Sequence, residues 1–257
     1  MAAAPQTRPV ALVTGGAKRI GRAMCEDLAR EGFDVAVHYS LSEKEAEECV
    51  QALKQHGANA CALQADLSVW DQTAGLVSAA SSQLGPVQLL VNNASRFLPD
   101  ALTRFDEATW DAHFNLHVKA PALLTQAFAA ELPEAMEGLV VNIIDQRVWR
   151  ETPLFFSYTL SKSALWTATR TMAQSLAPRI RVNAIGPGPT LQSDRQSDED
   201  FRGQVAALPL QRSPTFAEFG ATLRYLWESR SITGQMIALD GGAHLAWQTP
   251  HVAGVIE

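Results

Sequence analysis

The chain has 257 residues, 47% of them apolar, and a formal net charge of -6 without any block of lysine or arginine, so it can bury one large core and offers nothing to nucleic acid or an anionic membrane surface. Three scattered cysteines, Cys25, Cys49 and Cys61, have no metal-type spacing and suit a reducing compartment. The opening MAAAPQTRP lacks an apolar leader and no later run approaches the roughly 20 apolar residues of a membrane span, so a cytoplasmic protein with a disordered stretch over residues 1–8 is expected, with no metal, membrane or nucleic-acid partner.

Short β-branched runs alternate along the chain with longer amphipathic stretches. PVALVTG precedes a helix from about Arg19, FDVAVHYS precedes one over Glu43 to His56, and NACALQAD precedes one ending near Gln83. The rhythm continues through VQLLVNNAS, GLVVNIID, RIRVNAIGPG and GQMIALDGG. Every crossover is long enough for a helix, so the strands are expected to run parallel, and their continuous apolar character predicts helices on both faces. The fold class is therefore α/β, a doubly wound seven-stranded parallel sheet in a single domain. The polar stretch PTLQSDRQSDEDFRG, following a strand end, is either a substrate lid over residues 189–205 or a plain surface insertion.

Between the first strand and first helix lies Thr14-Gly15-Gly16-Ala17-Lys18-Arg19-Ile20-Gly21. Such a turn presents backbone N–H groups and a helix N-terminus to a pyrophosphate, which sets Gly15, Lys18, Arg19 and Ile20 beside a dinucleotide. Lys18 and Arg19 are read as phosphate partners or as solvated surface charges. The second strand ends His38-Tyr39-Ser40-Leu41-Ser42, without the carboxylate that would hold ribose hydroxyls. His38, Ser40 and Ser42 are placed on the cofactor side, and with Lys18 as a further donor the site favours NADPH over NADH. Asp66 closes the third strand, where its carboxylate can accept from adenine while Leu67 covers the ring; capping of the next helix by Asp66 or Ser68 is compatible with this. Asn93 and Ala94 end the fourth strand beside the crevice of a doubly wound sheet. Pro187 and Gly188 follow the sixth, close to nicotinamide, where a bulky side chain would not fit.

Tyr158 and Lys162 are four residues apart and share a helix face, so an ammonium can help a phenol ionise. An unperturbed tyrosine ionises near roughly pH 10, and this help would suit it to proton transfer near neutrality. Asp145 stands thirteen residues ahead of the tyrosine, and its carboxylate can bind an amidine-like N–H edge. Ala164, Ala168 and Met172 follow at helical spacing, a face that permits close helix approach and predicts a homo-oligomer.

With the glycine turn, NNAS, the Tyr-x-x-x-Lys pair, the Pro-Gly step and the DGG ending in order, the sequence resembles the classical short-chain dehydrogenase/reductase family over nearly its whole length, which implies a Rossmann-type fold and a tetramer. Arg19 and Ser95 in place of usual glycines, and Asp145 in place of the usual serine, make it similar to the pteridine reductase and dihydromonapterin reductase branch, which reduces dihydropterins or dihydrofolates with NADPH. The resemblance implies that Arg19, Ser95, Phe97, Asp145 and Tyr158 border the substrate, with Phe97 stacked on a flat pterin ring. It also implies that Tyr158, Lys162 and Asp145 share the chemistry, Lys162 holding the cofactor ribose as well. His117 stands where classical members place an asparagine that holds a relay water, and is read as a relay member or as a helix-core histidine. Leu41 stands where eukaryotic pteridine reductases set an arginine against the 2′-phosphate. Two other readings stay open: a carbonyl or 3-oxoacyl reductase in which Asp145 merely replaces serine as a hydrogen-bond partner, and a catalytically silent nucleotide-binding protein.

Overall fold

Strands β1 (Val10–Val13), β2 (Asp34–Tyr39), β3 (Ala60–Gln64), β4 (Val87–Asn92), β5 (Gly138–Ile143), β6 (Ile180–Pro187) and β7 (Met236–Leu239) form one sheet in a computed structural model that describes residues 8–192 and 196–247. All pair in parallel, in the order β3-β2-β1-β4-β5-β6-β7. The central strands are buried on both faces, which is why they read as unbroken apolar runs, whereas the edge strands β3 and β7 carry half-exposed positions.

Helices α1 (Arg19–Arg30), α2 (Glu43–Gln55) and α8 (Phe216–Glu228) cover one face, burying Met24, Leu28, Leu53 and Phe219 against Val13, Val35, Val37 and Val91. On the other face, α3 (Trp70–Leu84), α5 (Ala120–Glu131) and α6 (Phe156–Leu176) set Leu76, Leu124, Phe128 and Ala173 against Leu12, Ala36, Leu90 and Val140. Burial of each of the valine, leucine, methionine and phenylalanine side chains among these contributes about 2 kcal/mol of the apolar driving force. Among the described residues, no helix is long and apolar enough to cross a membrane.

Chain order reverses at β1, which pairs with β2 on one side and β4 on the other, and this opens a crevice at the carboxyl ends of the strands. Short α4 (Glu107–Phe114) and a π-helical turn (Asn115–Lys119) lead into α5 beside that crevice. In the stretch read as a lid or insertion, residues 193–195 lie outside the described residues, and Asp198–Ala206 forms a helix, α7. Its start is a capping box, with Ser197 and Asp200 bonded reciprocally and three acidic residues in the first turn, a local signal in a segment too polar to show a helical stripe. Of the 1–8 stretch, residues 1–7 lie outside the described residues. Arg8 is anchored: it donates to the carbonyls of Ala29 and Phe33 at 2.9 and 3.1 Å and pairs with Asp34 at 3.1 Å.

Candidate active site

The glycine turn leaves β1 at the point of chain reversal and is braced from both neighbouring strands. Gly15 has φ 61°, the left-handed region that favours glycine, and a Cβ there would crowd Ala94 Cα at 3.1 Å. From β4, the Thr14 hydroxyl accepts from the N–H groups of Asn93 and Ala94 at 2.9 and 3.0 Å, and the Asn93 amide donates to the carbonyls of Thr14 and Gly15 at 2.8 and 3.1 Å. From β2, His38 Nδ1 accepts from the Gly15 N–H at 3.0 Å, which leaves Nε2–H to donate to the Ala65 carbonyl at 3.1 Å. Burial pushes that imidazole's pKa down to about 4. The side chains of His38 and Asn93, expected to touch a dinucleotide, are thus engaged in holding the turn that would receive it.

Leu67 is packed in the core with residues of α3 and α5. Asp66 remains exposed, its Oδ1 accepting from the N–H and hydroxyl of Ser68, bonds that lower its pKa; α3 starts after Val69 without a side-chain cap, so neither Asp66 nor Ser68 caps it. Gly188 is required by Asp240, whose Cα would lie 2.6 Å from an added Cβ.

Around the turn's outer rim stand Lys18, Arg19, Ser40 and Ser42, with Ile20 half-buried behind them. Arg19 has φ 53°, the left-handed region that favours glycine, which explains why glycine is common at this position and costs about 1 kcal/mol for arginine. Lys18 pairs at 2.5 Å with Glu45 in the first turn of α2. The end of β2, His38 to Ser42, carries no carboxylate, but Glu45 of α2 already pairs with the cation read as a phosphate partner.

The loop after β4 is fastened to α6 by two histidine–serine pairs one helical turn apart. His113 Nε2 accepts from the Leu98 N–H at 3.2 Å, so Nδ1–H donates to Ser157 Oγ at 2.7 Å, and Ser157 in turn donates to buried Asp100. His117 Nε2 faces the Arg96 N–H at 3.2 Å and the Ser95 hydroxyl at 3.0 Å, and its Nδ1–H donates to Ser161 Oγ at 2.8 Å. Ser161 then donates to the Tyr158 carbonyl at 2.8 Å, so the Nδ1 branch closes on the backbone, while the Nε2 branch reaches exposed Ser95. The bonds of His117 fasten the loop and also join it to exposed Ser95, a geometry compatible with either reading of this histidine. Phe97, between the two fastened residues, stacks on Phe155 with ring centres 4.1 Å apart and meets Tyr158 edge-on at 4.7 Å.

Asp145 begins a 3-10 turn (Gln146–Val148) at the end of β5, and Tyr158 lies in the first turn of α6. The phenol donates to Asp145 Oδ2 at 2.9 Å; Arg147 places Nη1 3.0 Å from the same oxygen and its backbone N–H 2.8 Å from Oδ1. Lys162 is fully enclosed, donates to the Ile143 carbonyl at 2.8 Å, and lies 5.8 Å from the Tyr158 ring centre. Burial pulls its pKa down to about 8. Burial first, and then the charge of Asp145, raise the Tyr158 pKa well above its ordinary value, with Arg147 opposing. This corrects the expected lowering by Lys162: in the protein without ligand the phenol holds its proton. Sequence reading missed Thr14, Asp100, His113, Arg147, Phe155, Ser157 and Ser161; the matched four-residue spacings His113/His117 and Ser157/Ser161 were the available signal.

His38, His113 and His117 are all kept neutral, chiefly by burial. Their folded pKa values lie below the unfolded value of 6.5, so the unfolded chain takes up protons first. The stability that they support is full above that value and falls as pH drops, for His38 down to about 4. In urea unfolding at about pH 7.5 and about pH 5, His38→Gln is expected to lose about 2 kcal/mol less than the unsubstituted protein between the two conditions. Equal losses would contradict the neutral clamp.

A family model described as short chain dehydrogenase matches residues 9–201. The 3-oxoacyl-[acyl-carrier-protein] reductase FabG of Staphylococcus epidermidis is 31% identical over 241 residues, 91% of this chain and 98% of the relative. Among solved structures, the chain is similar to FolM alternative dihydrofolate reductase 1 from Brucella canis complexed with NADP, with TM-score 0.93, 59% identity, and coverage of 96% and 98% of the two chains. For the Brucella suis FolM in complex with NADP, the values are 0.92, 60%, 95% and 98%. A match of this extent, falling on the strands and helices that carry the turn and the tyrosine–lysine pair, shows that the chain belongs to the short-chain dehydrogenase family.

Proposed function

We propose that the protein is an NADPH-dependent reductase of a pterin-type substrate: a dihydropterin, dihydromonapterin or dihydrofolate. The observation that carries this reading is the Asp145 carboxylate bonded to Tyr158 and flanked by Phe97 and Phe155, because it offers a flat, nitrogen-rich ring an acceptor for N–H groups beside an aromatic wall. Similarity to the two FolM dihydrofolate reductases supports it. The 3-oxoacyl reductase reading draws on the FabG relative. Against it, a ketone oxygen at this position would meet a carboxylate oxygen instead of a donor.

The chain also suits the cofactor. Helix α1 has neither a capping side chain nor an acidic residue in its first turn, so its first N–H groups are left for a phosphate, with Arg19 and Lys18 alongside. NADPH, when bound, supplies the hydride. Tyr158 enters the reaction as an acid, its proton retained by burial and by Asp145, and donates it toward the substrate nitrogen. Lys162, still largely protonated at neutral pH, and Arg147 offset the negative charge that then develops beside Asp145. Lys162 also orients the cofactor ribose, and half-buried Ala164, Ala168 and Met172 on α6 form the face of a homo-oligomer, a tetramer by family analogy. The protein works in the cytoplasm.

Oxidation of NADPH with dihydrobiopterin, dihydromonapterin and dihydrofolate tests the reading. Turnover of at least one is expected, with kcat/KM reduced about 100-fold or more by Asp145→Ala and by Tyr158→Phe. No consumption with any of them, or turnover of simple ketones that survives Asp145→Ser, would sink it. For the cofactor, Glu45→Gln releases Lys18 and is expected to lower the KM for NADPH about threefold without altering that for NADH, while Lys18→Ala raises the former. Identical shifts for both cofactors would detach this pair from the 2′-phosphate.

A further inference from the structure

Helix α6 has no side-chain cap of its own. Its N-cap residue is Phe155, which offers no polar side chain and stands at φ 58° and ψ 51°, left-handed backbone that is costly for a bulky residue. The acceptors that this helix start needs come from Asp100, on the loop after β4. Its carbonyl takes the Phe155 N–H at 2.9 Å. Its carboxylate takes the Ser157 N–H, at 3.0 Å from Oδ2 and 3.3 Å from Oδ1, and also the Ser157 hydroxyl. One residue on, Ala101 bridges to Leu154, so the loop and the entry to α6 run against each other. Asp100 is buried, and its carboxylate lies where a helix N-terminus stabilises an anion.

The same loop carries Phe97, whose ring stacks on Phe155 at 4.1 Å and meets Tyr158 edge-on at 4.7 Å. Tyr158 directly follows Ser157, in the turn that Asp100 caps. We infer that Asp100 is a positioning residue for Tyr158: by capping α6 from the loop that bears Phe97, it locks the aromatic wall and the phenol into one unit. A cap supplied by α6 itself would satisfy the same N–H groups and leave the loop free to shift against the helix. With the cap supplied by the loop, a ring laid beside Phe97 meets the phenol at a fixed distance, which is what efficient proton transfer requires. His113 reinforces the lock by donating to the same Ser157 hydroxyl at 2.7 Å. The inference rests on the reading of Tyr158 as proton donor and holds for whichever substrate that donor serves.

Asp100→Ala removes the carboxylate and leaves the backbone bond to Phe155 in place; Asp100→Asn keeps one acceptor oxygen for the Ser157 N–H. The control is Asp34→Ala, which also removes a buried carboxylate, one that accepts twice from Asn59 at the amino end of β2, away from the crevice. The chain has three tyrosines, so carbon-13 NMR of the ring carbon bearing oxygen resolves each phenol, with Tyr158→Phe identifying its signal. In Asp100→Ala the Tyr158 signal is expected to move and its titration to start at lower pH, toward the ordinary value of roughly 10, while Tyr39 and Tyr225 stay. Asp100→Asn is expected to fall between, and Asp34→Ala to leave all three signals in place. With NADPH and dihydropterin, kcat of Asp100→Ala is expected to drop about 30-fold while the Kd for NADPH changes less than about twofold. An unmoved Tyr158 signal in the folded variant, or an equal loss of kcat in Asp34→Ala, overturns the inference. If Asp100→Ala does not fold, Asp100→Asn is judged by the same two results. If the unsubstituted protein turns over no pterin, the pterin reading fails and the Tyr158 signal alone decides the positioning.

Discussion

A single carboxylate–phenol hydrogen bond, Asp145 to Tyr158 at 2.9 Å, ties the end of β5 to the first turn of α6. Its charge governs the neighbouring groups. Together with burial, the larger cause, it holds the phenol's pKa up; it opposes the burial that lowers the Lys162 pKa to about 8, and draws Arg147 onto the same oxygen. A serine at that position would leave the tyrosine to the lysine alone. With aspartate there, the site stores a proton on the phenol and presents an acceptor to whatever approaches, and that polarity separates a substrate with N–H groups from one with a carbonyl.

Holding this arrangement in place is a frame of neutral imidazoles. His38 ties the glycine turn to β3, and His113 and His117 tie the loop carrying Phe97 to the helix carrying Tyr158. Each uses one nitrogen as acceptor for a backbone N–H and the other as donor, a pairing that only the uncharged ring can make. The hydride side and the proton side of the crevice are therefore braced by the same device.

Local spacing made much of this legible in the sequence. The parallel sheet followed from unbroken apolar runs with helix-length crossovers, and the shared face of Tyr158 and Lys162 followed from helical geometry. Arg19 was noted as standing at a glycine position, and its positive φ supplies the reason. What sequence could not give is the direction in which a side chain leaves a strand end. His38 and Asn93 point back into the turn, Leu67 packs into the core and Gly188 lies against Asp240, contacts that position along the chain does not reveal. Glu45 and Arg147 were hidden differently: each lies within a few residues of a noted position, but its pairing depends on how a turn folds back, which no periodicity encodes.

The most direct test is a crystal structure of the protein with NADPH and an antifolate such as methotrexate. The account predicts the pteridine ring alongside Phe97 and within hydrogen-bond distance of Asp145 or Tyr158. A pteridine bound away from both groups, or a crevice too narrow for a fused bicycle, would contradict it.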